Sequence, residues 1–314
     1  MMKPLVSILT PVYNSEPYLD AFFQSVLAQE YNEYELIVVN DGSTDSSEDI
    51  IRKYAERFKA IGKRFVYIKQ ENGGQAKALN AGFPYIRGEY FVWPDSDDIL
   101  CPDNISAKVT YMISHPEVAL GISWAEHIDE QGNHIELLKR APSNPDNLFI
   151  DLLLSRNVQF CPGIYILKTA AFMKCYPNLR IDESRAGQNY QLLLPVAYRY
   201  NYGYIDKVLY KYVLHPSSHS NSDLDSEEVQ LGRFQEHERL LSRLVEHFCN
   251  DQDLPLYLRM IRVHFNELYL RIAHSHRDRK RACNYFGQLV KLGGVSVKDA
   301  IYFISSMAGV ALKG

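Results

Sequence analysis

The first third of the chain alternates short apolar runs with segments in which apolar residues recur every three or four positions. The short runs predict four buried strands, at 5–12, 34–41, 64–70 and 90–98. The longer segments predict three helices, at 17–29, 46–58 and 74–86. Strands that alternate with helices indicate an α/β fold with a mostly parallel sheet flanked by helices.

The pattern changes further along the chain. Segments 133–139 and 163–172 have the composition of strand and helix pieces, and 202–215 predicts a strand hairpin that ends in a polar loop. From about residue 225 the apolar spacing is helical to the end. The composition shift at 221–225 therefore predicts two domains, 1–222 and a helical region, 223–314.

Bulk composition narrows the class of protein. The formal net charge of −4 argues against nucleic acid as a general partner. Five scattered cysteines without a CxxC pair indicate reduced thiols and a cytoplasmic location. The N-terminus lacks the pattern of a signal peptide, and no apolar run reaches the ~18 residues of a membrane span.

Polar residues cluster where the predicted strands end, at 11–14, 41–44, 70–74 and 95–98. In parallel α/β sheets, ligands bind beyond the carboxyl ends of the strands. The run "NDGSTDSS" places Asp41 at a strand end, with Gly42 for the turn and Ser43 to Asp45 as helix caps. It fits either a ligand site or a well-capped βα turn.

The run "WPDSDDIL" brings three carboxylates together at the end of a buried strand. Such repulsion is costly unless a cation or solvent compensates, and hard oxygen ligands suit Mg²⁺ or Mn²⁺. A solvated acidic turn is the alternative. Gly73 and Gly74 precede a helix start, where their amides could meet an anion. His215 closes a strand and is either structural or a metal ligand.

In this order, four segments resemble the inverting family 2 glycosyltransferases of GT-A fold: "VSILTPVYNSEPYL", "ELIVVNDGSTDSS", "NGGQAKALNAGFPYIRGEYF" and "DSDD". The resemblance covers residues 4–104 closely and continues more loosely to about 220. It implies metal-dependent transfer of a hexose-type sugar, with Mn²⁺ or Mg²⁺, from a UDP-sugar to a glycan or lipid-linked glycan. In this family such transfer builds cell-surface polysaccharides.

The resemblance also implies residue roles. It assigns the nucleotide sugar to Pro11, Tyr13, Asn14, Glu16, Asp41, Lys77, Asp95 and Ser96. Within this set, Asp41 is expected to read the uracil ring and Asp95 to lie near the ribose. Asp97 and His215 match the metal ligands of the family. Asp98 is the following acid, with a structural or supporting role.

The general base is where this sequence departs from the family. An acid pair commonly opens a helix there, but Gln188 and Asn189 occupy those positions. Three explanations stand: Asp182 or Glu183 replaces the base, the two amides position an acceptor that needs little deprotonation, or the chain binds nucleotide sugar without turnover. The intact acid cluster favours an enzyme over a non-catalytic partner in a glycan assembly complex.

The C-terminal helices have no counterpart in the resemblance. Segments 227–248 and 256–276 carry apolar stripes and predict a helical cap. Segment 296–312 is apolar on most sides, starts with a capping-box pattern and is too short to span a bilayer. It predicts either a peripheral helix in the interface of the inner membrane face or a core or homodimer helix.

Overall fold

The computed structural model describes residues 3–139, 148–184, 187–215 and 226–309. Two compact units divide the chain: Met1–Leu152 with Asn157–His215, and Leu153–Arg156 with Pro216–Gly314. The predicted domain boundary at 222/223 lies outside the described residues.

The first unit is built on one sheet of nine strands within the described residues. The strands are β1 (Val6–Val12), β2 (Tyr34–Asn40), β3 (Phe65–Lys69), β4 (Tyr90–Val92), β5 (Ile99–Leu100), β6 (Val118–Ile128), β7 (His134–Leu138), β8 (Tyr165–Lys168) and β9 (Asn201–Val213). Their spatial order is β3-β2-β1-β4-β8-β6-β9-β5, and β7 pairs with β6.

Seven helices are described between the strands or beside the sheet. They are α1 (Glu16–Leu27), α2 (Ser47–Ala60), α3 (Gln75–Gly82), α4 (Asn104–Ser114), α5 (Leu148–Leu153), α6 (Thr169–Cys175) and α7 (Gln188–Arg199). β1 and β2 are buried along their whole length. This is typical of parallel strands covered by helices on both faces.

The first half of the sheet confirms the predicted alternation. β3, β2, β1 and β4 are all parallel. β4 is shorter than predicted because the strand stops at Val92, before Pro94, which has no N–H to donate to a ladder. Residues 93–98 turn away from the sheet instead and carry the acids.

The second half of the sheet is mixed, and the predicted hairpin at 202–215 is wrong. β9 is one strand that runs parallel to β6 and antiparallel to β5. The register jumps between the pairs Ile122–Tyr204 and Trp124–Val208. The charged residues Asp206 and Lys207, which are common in turns, lie in an irregularity inside a continuous strand. Asp206 accepts a hydrogen bond from the Trp124 indole there, at 2.8 Å.

The second unit is helical, as its sequence pattern predicts. Its described helices are α8 (Glu227–Phe248), α9 (Leu254–Ser275), α10 (Arg279–Leu292) and α11 (Val297–Ala308). A small core is formed by Leu270, Ala273, Ala282 and Leu289. None of the described helices is long and apolar enough to cross a bilayer.

Candidate active site

Three aspartates follow β4 directly and face one another. Asp95, Asp97 and Asp98 each offer one oxygen, and these atoms lie within 4.8 Å of one another. Asp98 is buried, and its Oδ1 accepts the Val213 N–H at 2.9 Å. Its Oδ2 is buried and has no hydrogen-bond partner among the described residues. The predicted acid cluster is therefore a real cluster in space, with one buried oxygen that remains unsatisfied.

Two carboxyl groups of the cluster have raised pKa values. Burial, then the charge of Asp97, raises the pKa of Asp95 to about 8, although a hydrogen bond from Gln75 works in the opposite direction. Burial and the two neighbouring acids also raise the pKa of Asp98. Within the described part of the chain, no lysine or arginine pairs with these acids. The oxygen set therefore fits a hard divalent cation.

His215 reaches the cluster from the end of β9. Its Nε2 lies 3.1 Å from Asp97 Oδ2, and this hydrogen bond raises the pKa of the imidazole. The ring stacks on Tyr18 with centroids 4.4 Å apart, and the Tyr18 hydroxyl donates to Glu130. The fold therefore brings together the two residues that the resemblance implies as metal ligands.

The loops after β1 and β2 are joined by reciprocal hydrogen bonds. Asn14 Oδ1 accepts from Thr44 N at 2.8 Å, while Glu16 Oε2 accepts from Ser46 N at 3.1 Å. Asp45 Oδ2 in turn accepts from Glu16 N at 3.0 Å. Asn14 has a positive φ of 47°, a conformation that asparagine tolerates better than most residues. The two loops thus form one framework at the carboxyl edge of the sheet.

Other predicted nucleotide-sugar residues lie on or beside this framework. Tyr13 is exposed, whereas Pro11 is buried within β1. Ser96 is buried, and its hydroxyl lies 2.8 Å from that of Ser15. Ser15 therefore ties the first loop to the acid cluster.

Asp41 is buried, and its carboxylate holds the loop at 70–74. Oδ1 accepts from Gln70 Nε2 at 2.6 Å and from Gly73 N at 2.9 Å, and Oδ2 accepts from Gly74 N at 2.8 Å. The anion that the glycine amides meet is therefore a side chain of the protein. Contact of Asp41 with a uracil ring remains a prediction.

Lys77 lies on the first turn of α3 and is half-buried. Its aliphatic chain lies over Gly73, where an added Cβ would come within 2.1 Å of the Lys77 Cδ. A glycine is therefore required at 73 for this approach. The contact positions the lysine stem beside the loop that Asp41 holds.

Gln188, at the start of α7, is joined to the acid cluster through Gln75. Its Nε2 donates to Gln75 Oε1, and Gln75 Nε2 donates to Asp95 Oδ1 at 2.8 Å. Asn189 is buried and accepts the Trp93 indole N–H at 3.0 Å. Both amides therefore hold the segment that follows β4, and neither can accept a proton as a base.

The two upstream acids have different partners. Glu183 is ion-paired with Arg180 at 2.6 Å. Asp182 is clamped through its backbone, because its N–H donates to Gln191 Oε1 at 2.7 Å and its C=O accepts from Gln191 Nε2 at 2.9 Å. The preceding residue, Ile181, exchanges two hydrogen bonds with Asn80 on α3. Asp182 is thus held by α7 directly and by α3 through Ile181. Gln188 and Gln75, which form the bridge to Asp95, are the first residues of these two helices.

Sequence reasoning missed Gln75, Ser15 and Tyr18. Amides, hydroxyls and single aromatic residues are common on helices, so no local pattern singles them out. Their relevance comes only from contacts that span 20 to 197 positions, such as Gln75 with Asp95 and Tyr18 with His215. One signal could have pointed to them: each lies within or directly beside one of the four segments that resemble the family.

The sheet and its edge define an α/β protein with a polar site at the carboxyl ends of its strands. The family model described as glycosyl transferase family 2 matches residues 7–174. The chain therefore belongs to this family, and the GT-A fold expected from the sequence is confirmed, with helices after it.

Known proteins resemble the chain in sequence and in fold. The Bacillus subtilis protein TuaG, which carries the name of a teichuronic acid biosynthesis glycosyltransferase, is 29% identical over 184 residues, 59% of this chain and 70% of TuaG. Glycosyltransferases of Rickettsia felis and Rickettsia typhi are 33% and 37% identical over 56% and 44% of this chain. The matched segments span only 30% and 41% of the length of those two relatives.

Two solved structures share the fold at low identity. S. aureus TarS 1-349 in complex with UDP-GlcNAc aligns with a TM-score of 0.60 at 18% identity, covering 98% of this chain and 92% of TarS 1-349. The Pyrobaculum calidifontis mannosyltransferase PcManGT, in complex with GDP-Man and Mn²⁺, aligns with a TM-score of 0.59 at 16% identity. That alignment covers 100% of this chain and 82% of PcManGT.

Proposed function

We propose that the chain transfers a hexose-type sugar from a UDP-sugar to a hydroxyl of a glycan or lipid-linked glycan, with inversion, during synthesis of a cell-surface polysaccharide. The observation that carries this proposal is the cluster of three aspartates after β4, which no lysine or arginine of the described residues neutralises. Family membership, the UDP-GlcNAc bound to TarS and the name of TuaG support it. The five free cysteines support a reducing, cytoplasmic location.

The residues of the cluster fit a divalent cation, Mn²⁺ or Mg²⁺. Asp97 and His215 would hold the ion, together with the buried Oδ2 of Asp98, which has no hydrogen-bond partner. When bound, such an ion stabilises the negative charge that develops on a diphosphate leaving group. The solved structure of PcManGT, which shares the fold, is a complex with GDP-Man and Mn²⁺.

The donor half of the site would lie on the joined loops after β1 and β2. Tyr13 offers an exposed ring for stacking on a base, and Asn14 and Glu16 fix the shape of the loop through their hydrogen bonds. Lys77 adds a positive charge at the first turn of α3. Asp95 and Ser96 complete the site on the side of the acid cluster.

The transfer step forms a bond between the acceptor oxygen and the anomeric carbon and breaks the bond from that carbon to the diphosphate. UDP leaves with the electron pair, and the acceptor proton passes to a base. We assign the base to Asp182 because its backbone is held by Gln191 on α7 and the preceding residue, Ile181, is held by Asn80 on α3. Gln188 and Asn189 act in positioning.

Calorimetric titration with UDP and with GDP in the presence of Mn²⁺ tests the donor and metal assignment. The wild type should bind UDP more tightly than GDP, and Asp97→Ala should weaken UDP binding at least about tenfold, the scale of losing one metal contact. Asp49→Ala, an exposed acid on α2, is the matched control. UDP affinity that is the same in wild type and Asp97→Ala would refute the site.

Transfer assays with a panel of UDP-sugars and acceptors test turnover. Asp182→Asn should lower kcat by ~10²–10⁴, the usual contribution of a general base, and Glu183→Gln should change it little. The reverse order would move the base to Glu183. Donor binding without UDP release in every combination would identify a nucleotide-sugar-binding protein in place of an enzyme.

A further inference from the structure

The last described helix, α11, exposes apolar residues and buries polar ones. Val297, Ile301 and Ile304 lie on one face at a spacing of four and three residues, and their exposed fractions are 80%, 50% and 65%. Asp299 and Ser306, on the opposite face, are buried. A surface helix normally shows the reverse arrangement. We call the three exposed residues the α11 stripe.

The α11 stripe is not what attaches the helix to its unit. The His274 ring lies 2.9 Å from the Ser306 hydroxyl, and Phe303 stacks on Phe286 with centroids 4.2 Å apart. Tyr302 and Met307 pack against the small core of the unit. The helix start is fixed by a capping box between Ser296 and Asp299. The stripe is therefore available to something outside the described chain.

Two basic residues lie on or beside α11, one near each end of the helix. Lys298 is exposed on the first turn of α11, and the Arg279 guanidinium lies at its last turn, where a Cβ added to Gly309 would be 3.1 Å away. Residues 254–309 contain nine lysines and arginines against three aspartates and glutamates, a formal charge of +6, whereas residues 1–215 contain 21 against 26. Cationic character is therefore concentrated in the last three helices.

A second cationic feature lies in the same unit. Arg259, Arg262 and Lys291 line an open groove of about 480 Å³ between α9 and the end of α10. Its remaining lining includes Leu254, Leu258 and Leu292. Apolar side chains beside basic ones thus occur at the groove as well as at the α11 stripe.

We propose that the α11 stripe, with Lys298 and Arg279, binds the surface of an anionic lipid bilayer. A second copy of the chain fits less well, because a symmetric dimer would place the same positively charged face on both sides of its interface. A 12-residue helix is ~18 Å long at 1.5 Å per residue and cannot cross a hydrocarbon core of ~30 Å, so it would lie in the interface plane. Nearby lysines and arginines strengthen such binding to anionic lipid.

Sedimentation with phospholipid vesicles tests this proposal independently of transfer activity. The full chain should bind vesicles of phosphatidylglycerol and phosphatidylcholine, bind pure phosphatidylcholine far less, and lose most of the binding at high salt. The triple variant Val297→Ser, Ile301→Ser, Ile304→Ser should lower partitioning at least about tenfold, since each buried CH₂ contributes to interfacial affinity. Lys298→Glu should lower it as well.

A second triple variant is the matched control: Ile61→Ser, Ile113→Ser and Ile135→Ser, which are similarly exposed in the first unit. It should bind vesicles like the wild type. Thermal melting should show the stripe variant folded, because its changed side chains are exposed. The proposal is overturned if wild type and stripe variant bind anionic vesicles equally, or if wild type does not bind them. It is also overturned if light scattering shows that the stripe holds a dimer while vesicle binding persists without it.

Discussion

The two edges of the sheet bury carboxylates in opposite ways. At the amino edge, Glu35 is 1% exposed and fully partnered: its oxygens accept from Ser7 Oγ at 2.5 Å, from Arg87 N at 2.8 Å and from the Arg64 guanidinium at 2.5 Å. At the carboxyl edge, no lysine or arginine of the described residues pairs with the acid cluster, whose basic neighbour is the imidazole of His215, and Asp98 Oδ2 accepts no hydrogen bond from the described residues.

This difference separates a group that stabilises the fold from groups held for binding. A buried carboxylate with a complete set of donors costs little beyond its desolvation, so it can persist without a ligand. A cluster of like charges raises the free energy of the folded chain until something binds it. Sites of this second kind are candidates for function.

The largest expected effect is on the amino edge. Arg64→Met leaves Glu35 charged and buried without its counterion, so the free energy of unfolding should fall by ~3–5 kcal/mol. Adding Glu35→Gln should recover much of that loss because no unpaired charge remains. Urea unfolding measures both, and Arg52→Met, which breaks an exposed pair with Glu48, is the control that should change stability little. A loss that small for Arg64→Met would contradict the comparison.

Gln75 gives the next largest effect, at the carboxyl edge. Gln75→Ala removes the bridge between Gln188 and Asp95, so kcat/KM for transfer should fall about tenfold, or ~1.4 kcal/mol. Gln188→Ala should have a similar effect, and the double variant should lose little more, because the two amides act as one unit. Gln24→Ala, exposed on α1, should leave the rate unchanged. Additive losses would show that the bridge is not a unit.

The sequence predicted the first half of the sheet and much less of the second. β1 to β3 and their helices follow from local periodicity. Each of these strands pairs in parallel with a strand that is adjacent to it in the chain order. β9 could not be predicted in this way because its partners, β5 and β6, lie roughly 80 to 110 positions away. α10 was not delimited because Arg279, Lys280 and Arg281 open it, against the preference of a helix N-terminus for acids.

In the candidate site, too, the contacts between residues distant in sequence could not be predicted. The three aspartates were found because clustered carboxylates after a buried strand are chemically conspicuous. The contacts of Asp41 could not be predicted, because its donors come from a loop 29 to 33 residues away. Gln188 and Asn189 were found as a departure from the family, but their partners, Gln75 and Trp93, are visible only in the folded chain.

Lys108 is a third buried ionisable group, and no carboxylate of the described residues pairs with it. Its ammonium donates to Gly163 O at 2.6 Å, Asn104 Oδ1 at 3.0 Å and Tyr165 O at 3.4 Å. Burial nevertheless lowers the pKa of Lys108 to about 7. Since the unfolded chain keeps this proton up to ~10.4, the Lys108 contribution to stability should rise with pH above 7, by at most ~1.4 kcal/mol per unit.

Lys108→Met removes this titration. Between about pH 7 and about pH 9, the free energy of unfolding should therefore rise more, or fall less, in the wild type than in the variant. The variant should be less stable at both values, because three acceptors lose their donor. Equal changes with pH in the two proteins would show that the hydrogen bonds keep Lys108 charged in the fold.

The smallest expected effect has the opposite sign to that of Arg64→Met. Asp98→Asn keeps an oxygen to accept the Val213 N–H but removes a carboxyl group whose pKa is raised in the fold. A raised carboxyl pKa costs stability at neutral pH, so the metal-free protein should gain ~1 kcal/mol of stability. Thermal melting in a chelator measures this gain. Added Mn²⁺ should then raise the melting temperature of the wild type more than that of the variant, because only an ion that binds the folded state stabilises it. A metal-free Asp98→Asn protein less stable than the wild type would mean that this carboxylate, like Glu35, serves the fold.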